Sequence, residues 1–282
     1  MKYLIILASI TLATARVLNK NDCEGIVVDG ISYQEETLKE YIDKPYQLAI
    51  DYNSNILYFS FTKKSGDAFS LAYINLKTNE YGPITSVSSG FATAVDEKTH
   101  SVYFGGRYGI YKLEPESKRA INQDVTNKDI WQMFFKDGLY FTTYPDEQPY
   151  LYKNDKVNKI TEIGNTRAML IGADNNHNLI FSNSSGVFYY TKNDGLTNHI
   201  SDHTLNGITS DINGKIYLSS PSGIYSFNDK TKEVKNIATI INMYGLAVET
   251  DGSFIYASDN SIVRLRSTGK ECITELEEKY FN

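Results

Sequence analysis

One outline of residues returns six times along the chain. Between residues 46 and 60 a short apolar run (Leu48, Ala49, Ile50) meets an acidic turn at Asp51, and a second run carrying Tyr58 and Phe59 ends on Ser60. Residues 91–105 repeat it with Val95, Asp96, Tyr103, Phe104 and Gly105. Four more copies span residues 131–142, 169–182, 206–219 and 244–257. Anchored on Asp51, Asp96, Lys136, Asp174, Asp211 and Glu249, the copies lie 45, 40, 38, 37 and 38 residues apart. A near-constant period of this size marks a structural repeat, in which one unit cannot bury its apolar face alone and neighbours must stack.

Each unit holds two further strand-like runs, such as residues 109–113 and 223–227, and a polar turn at 228–232 leads into a last polar strand at 233–237. Tyrosines and β-branched residues alternate with polar ones at period two, while Asn, Asp, Gly and Lys fill the turns. Four strands per unit and six units predict an all-β fold, a six-bladed β-propeller. Helical periodicity is scarce; residues 37–42 read as either a short surface helix or a loop. The ring must also close. The sixth unit has three clear strands, ending at residues 261–265, and the run Gly25, Ile26, Val27, Val28 belongs to no unit, so this N-terminal strand is expected to close the ring. The two cysteines, Cys23 and Cys272, flank these pieces. In an oxidising compartment they are expected to form a disulfide that pins the closure; two buried unpaired thiols are the alternative.

Residues 1–15 have the layout of a secretory signal: Lys2, an apolar run at 4–12, then the small residues Ala13, Thr14 and Ala15. The run falls short of the roughly 20 residues that span a bilayer. The expectation is a secreted, extracellular protein with no membrane partner, whose residues 16–282 form one propeller domain. A net charge of −6 lacks the basic footprint of a nucleic-acid binder. A monomer is expected.

Catalytic motifs are scarce. The histidines His100, His177, His199 and His203 fall in turns or polar edges, and the sequence has no His-x-x-x-His on a helix, no Cys-x-x-Cys and no Gly-x-Ser-x-Gly. Six-bladed propellers can hydrolyse lactones or phosphotriesters around a channel calcium, an ion that takes six to eight converging oxygens. Here the acidic anchors lie in turns at the face opposite the usual site, and Glu35, Glu36 and Asp51 read as turn and surface residues. The expectation is therefore no enzyme, no metal and no cofactor, with a calcium-dependent hydrolase as the alternative. Asn183, with Ser184 and Ser185, matches the glycosylation sequon; an ordinary polar turn reads equally well.

The repeat alignment also shows which residues open onto the channel. The first inner-strand positions of the six units are Tyr46, Phe91, Trp131, Met169, Asn206 and Tyr244, and they ring one mouth. Four are aromatic, with Gln47, Gln132 and Asn206 interleaved. Such a ring suits a flat aromatic ligand, whose faces stack while amides fix its orientation. Arg107 and Arg167 fall near the same face and can meet a carboxylate. The plainer reading is that the rings fill wedges between blades and the arginines are solvated.

Residues 23–30, Pro45 to Asp51, Ile130 to Lys136 and Asn206 to Lys215 together resemble the insect ommochrome-binding proteins of moth haemolymph, and the resemblance runs from Cys23 to about Arg266. It implies a secreted haemolymph carrier for ommochromes, which are planar, acidic, tryptophan-derived pigments of the xanthommatin type. The resemblance supplies no residue-level binding motif. A secreted protein-interaction effector is a third reading.

Overall fold

The computed structural model describes residues 23–62 and 68–272; the expected signal at 1–15 lies outside them. Among the described residues there is no helix, and the strands form six antiparallel sheets arranged as the blades of a propeller. The inner strands are Pro45–Asp51, Ala92–Asp96, Asp129–Phe135, Leu170–Ala173, Gly207–Ser210 and Gly245–Val248, and they define blades 1 to 6 in that order.

The acidic residue that anchors the repeat ends the inner strand because its side chain builds the turn. Asp51 accepts hydrogen bonds from the Asn53 N–H and the Ser54 hydroxyl, Asp96 from the Lys98 N–H and the Thr99 hydroxyl, and Asp211 from the N–H groups of Asn213 and Lys215. An aspartate that captures the backbone two residues on is a local alternative to continuing the strand. Blade 3 departs from the rule: Asp137 takes a left-handed φ of 51° instead, and the Lys136 N–H bonds to the Gly138 carbonyl.

The core lies between blades. Phe59, Phe104, Phe141, Phe181, Leu218 and Ile255 occupy equivalent places on the six second strands, and each is completely buried. Apolar clusters bridge blades 6 and 1, 1 and 2, 2 and 3, and so on around the ring. Three blades begin their third strand with a glycine at positive φ: Gly109, Gly186 and Gly223. A Cβ at Gly223 would stand 2.1 Å from the Ala238 carbonyl oxygen, so the third and fourth strands approach closely only because no side chain intervenes.

Closure corrects two expectations. The strand paired to Ser261–Glu271 is Ile31–Glu40, and Ile26–Val28 adds a fifth strand outside it. Residues 37–40 continue that closing strand and form no helix or loop. A bulge between Thr37 and Lys39 shifts the pairing by one residue, burying Leu38 and then Ile42, and a bulge of this kind mimics helical spacing in the sequence. Glu35 and Glu36 accordingly sit on a strand, where Glu35 accepts a hydrogen bond from the Tyr256 hydroxyl at 2.5 Å. Glu36 faces Arg264, a buried cation held by Glu249 through Nε at 2.6 Å and Nη2 at 2.9 Å, by Glu36 at 3.2 Å and by the Leu76 carbonyl at 3.1 Å. One guanidinium thus joins the closing strand, the turn of blade 6 and blade 1. Cys23 and Cys272 form a disulfide with Cα atoms 6.0 Å apart, which fastens the ends of the same sheet.

Candidate functional site

On blades 6, 1, 2 and 3 the rings at the first positions of the inner strands touch. Tyr244 meets Tyr46 edge-on at 5.4 Å, Tyr46 meets Phe91 at 5.4 Å, and Phe91 stacks on Trp131 at 4.6 Å and 30°. Two residues outside the sequence reading extend this arc. Phe69 packs on Phe91 at 4.4 Å, and Tyr144 approaches Trp131 at 5.6 Å while remaining 58% exposed. Phe69 begins the third strand of blade 1 and Tyr144 ends the second strand of blade 3.

Irregular pairing accompanies two of these rings, on blades 3 and 1. The register slips between Ile130 and Gln132, leaving Trp131 unpaired, and between Tyr46 and Ala49, where Gln47 has a φ of 51°. Bulges re-aim side chains out of the regular alternation. Phe91 is buried beneath its neighbours, whereas Tyr46, Trp131 and Tyr244 are half-buried, as are Met169 and Asn206 on the other side of the mouth. Offset and edge-to-face contacts of this kind contribute about 0.5–1.5 kcal/mol each beyond area burial. The arc is therefore a preformed apolar surface.

Two of the interleaved amides are used within the fold. Gln132 is 1% exposed; its Nε2 donates to the carbonyls of Met133 and Ile171, and its Oε1 accepts from the Ile171 N–H. This reciprocal staple between blades 3 and 4 removes Gln132 from any ligand. Asn206 donates to the Met243 carbonyl, tying blade 5 to blade 6. Gln47 lends its backbone carbonyl to the Thr93 hydroxyl.

The charges of this face are segregated. On the side of blades 6 and 1, the Tyr244 hydroxyl donates to Asp259 at 2.7 Å; that bond, with burial and the carboxylate's charge, pushes the phenol up to about 12. Burial raises Tyr46 as well, and Asp43 and Asp259 add to it against a hydrogen bond with Thr62. On the side of blades 2 to 4 stand Arg107, exposed in a strand turn, and Arg167, exposed before the fourth inner strand. Burial raises the Asp129 carboxyl, and the nearby Arg107 charge opposes it. Asn183 sits in the turn of blade 4, where its oxygen accepts from the Ser185 N–H and its Nδ2 donates to the Arg167 carbonyl.

A second feature occupies the other end of the channel. A cavity of about 280 Å³ begins two residues further along the inner strands, at Leu48, Thr93, Met133 and Ile208, and reaches a charged rim at Glu97, Lys98, Lys136 and Asp137. None of the arc residues lines it. Among the described residues no group of three or more His, Cys, Asp or Glu side chains is placed to hold a metal ion. No described helix is long and apolar enough to cross a membrane.

No protein-family model matches the chain. The ommochrome-binding protein of Manduca sexta is 35% identical over 269 residues, which cover 93% of this chain and 97% of that one. Solved propellers share the shape at far lower identity. A Xanthomonas campestris gluconolactonase superposes with a TM-score of 0.67 at 12% identity, covering 87% of this chain and 96% of its own. A streptogramin B lyase gives 0.58 at 13%, covering 84% and 98%. At these identities the likeness is one of fold, since propellers carry unrelated chemistries on one scaffold.

Proposed function

The chain belongs to the ommochrome-binding protein family, and from that premise we propose that it is a secreted carrier that binds a planar, acidic aromatic pigment on the aromatic arc. The observation that carries this reading is the contact series Tyr244, Tyr46, Phe91, Trp131, Tyr144, which offers continuous ring faces across four blades at one mouth. A tricyclic plane laid on Trp131 would exchange water for ring contact without ordering the arc, because its rings already support one another. The carboxylate end of such a ligand belongs on the side of Arg107 and Arg167, away from Asp43 and Asp259, whose charges would repel it. Gln47 is the amide left to orient it.

Catalysis has no part in this reading. The ligand is held by stacking and charge, and among the hydrogen bonds of the described residues none joins a nucleophile to a base at the mouth. Equilibrium dialysis of the purified protein against xanthommatin tests it. Saturable uptake of one pigment per chain, with affinity falling as salt rises, is expected. Absence of saturable uptake would sink the proposal, and turnover of a lactone by the same sample would favour the hydrolase reading.

A further inference from the structure

The cavity at the far end of the channel takes no part in the pigment reading. Its walls mix apolar Leu48, Ile50, Val95, Met133, Ile208 and Val248 with polar Thr93, Thr209 and Ser210. Its rim is polar, and almost every rim charge already has a partner. Lys98 of blade 2 pairs with Asp137 of blade 3, which also has His177 at 3.7 Å. Lys136 of blade 3 donates to Asn175 of blade 4, and Asn175 in turn donates to the Asn213 carbonyl of blade 5. The Tyr52 hydroxyl reaches from blade 1 to the Val248 carbonyl of blade 6 at 2.8 Å. These links tie neighbouring blades together around the rim, where Ile212 is an apolar residue 52% exposed.

Glu97 is the exception. Its side chain lines the cavity, yet no cation is paired with it among the described residues. We propose that this cavity is a second binding site, for a small organic cation: a primary amine whose apolar stem enters the channel and whose ammonium meets Glu97 beside Tyr52. Size supports a small guest, because about 280 Å³ lies just below the roughly 300–1,000 Å³ of sites for drug-sized ligands. The electrostatics point the same way. Glu97 stands exposed at the rim, yet partial desolvation of its carboxyl and the nearby carboxylates of Asp51 and Asp96 push it up to about 8, against the hydrogen bond from the Tyr52 backbone. An ammonium would supply Glu97 with the cation it lacks, since Lys98 and Lys136 on the same rim are bound to Asp137 and Asn175.

The test is calorimetric titration of the whole protein with hexylamine and with hexanol, which share a stem and differ in charge. At about pH 8.5 an alkylammonium, like a lysine side chain, keeps its proton. Hexylamine should bind saturably and at least about tenfold more tightly than hexanol. Glu97→Gln should bring the amine to the level of the alcohol, and Ile212→Arg, which puts a cation on the exposed rim, should weaken the amine without touching Glu97. Trp131→Ala should leave amine binding unchanged, and bound xanthommatin should not displace it. Equal binding of amine and alcohol, full affinity in Glu97→Gln, or no saturable binding of hexylamine would each overturn the proposal while leaving the pigment reading standing.

Discussion

Replacing Arg264 with Met would show how much of the ring closure rests on one buried cation. Methionine keeps the length of the stem and deletes the charge. The Arg264 side chain is 3% exposed and its main partner Glu249 is 16% exposed, so water screens this bidentate pair little. Removing one partner of a buried pair costs about 3–5 kcal/mol, because the remaining charge stays desolvated. The Leu76 carbonyl loses a donor, worth about 1 kcal/mol. Glu36 adds little: it is 39% exposed and keeps Arg266 at 2.6 Å. Its carboxyl lies below the usual range because hydrogen bonds from Arg266 and Arg264 outweigh the upward pull of burial. A loss of about 4–6 kcal/mol follows, so with a urea slope of about 3 kcal/mol/M the midpoint should fall by about 1.5 M at unchanged slope. Glu36→Gln should move it by a fraction of that. The double variant Arg264→Met, Glu249→Leu should recover most of the loss, since an apolar pair can replace a buried ion pair at little cost. A midpoint shift of Arg264→Met below about 0.3 M, or no recovery in the double variant, would refute the argument.

Three further outcomes can be measured on the same protein. Gly223→Ala should destabilise by more than about 2 kcal/mol in urea unfolding, because the added methyl meets the Ala238 carbonyl at 2.1 Å and the φ of 154° suits only glycine; a loss under 0.5 kcal/mol would contradict the close approach. Glu97 binds its proton more tightly folded than unfolded, so stability should decline as pH rises from about 4.5, its ordinary value, to about 8, and Glu97→Gln should remove that decline; parallel stability curves for parent and variant would show the carboxyl to be unperturbed. Chelation by EDTA should change neither the thermal midpoint nor pigment uptake, and loss of either on chelation, restored by calcium, would promote the hydrolase reading.

The fold was legible because the constraint repeats. An acid that closes the same turn on several blades, and a ring or aliphatic side chain buried at the same place on six, leave a period in the sequence that no single blade has to carry. Closure was harder to read. The bulge at Thr37 and Lys39 disguised a strand as a helical stripe, and the pairing of Ile31–Glu40 with Ser261–Glu271 joins segments at opposite ends of the chain. At the mouth, alignment located Tyr46, Phe91, Trp131 and Tyr244, since they share a register position. It could not assign Gln132, whose side chain turns back between blades once the register slips beside Trp131. Phe69 and Tyr144 lie at strand ends beside connections whose lengths vary between units, so periodicity does not mark them. The cavity depends on side chains reaching across blade boundaries, such as Lys98 to Asp137, and no local pattern encodes those distances.

The claim that the aromatic arc is the pigment site is tested most directly by the affinity of Trp131→Ala for xanthommatin. Trp131 is the only tryptophan, so quenching of its emission reads binding in the parent, and pigment absorbance reads it in the variant. An anchoring aromatic typically costs about 2 kcal/mol or more on truncation, which corresponds to about thirtyfold in Kd. Strong quenching is expected in the parent, and at least that weakening in a variant that unfolds cooperatively like the parent. A normally folded Trp131→Ala that binds xanthommatin as tightly as the parent would show that the rings only pack the blades together and that the pigment lies elsewhere.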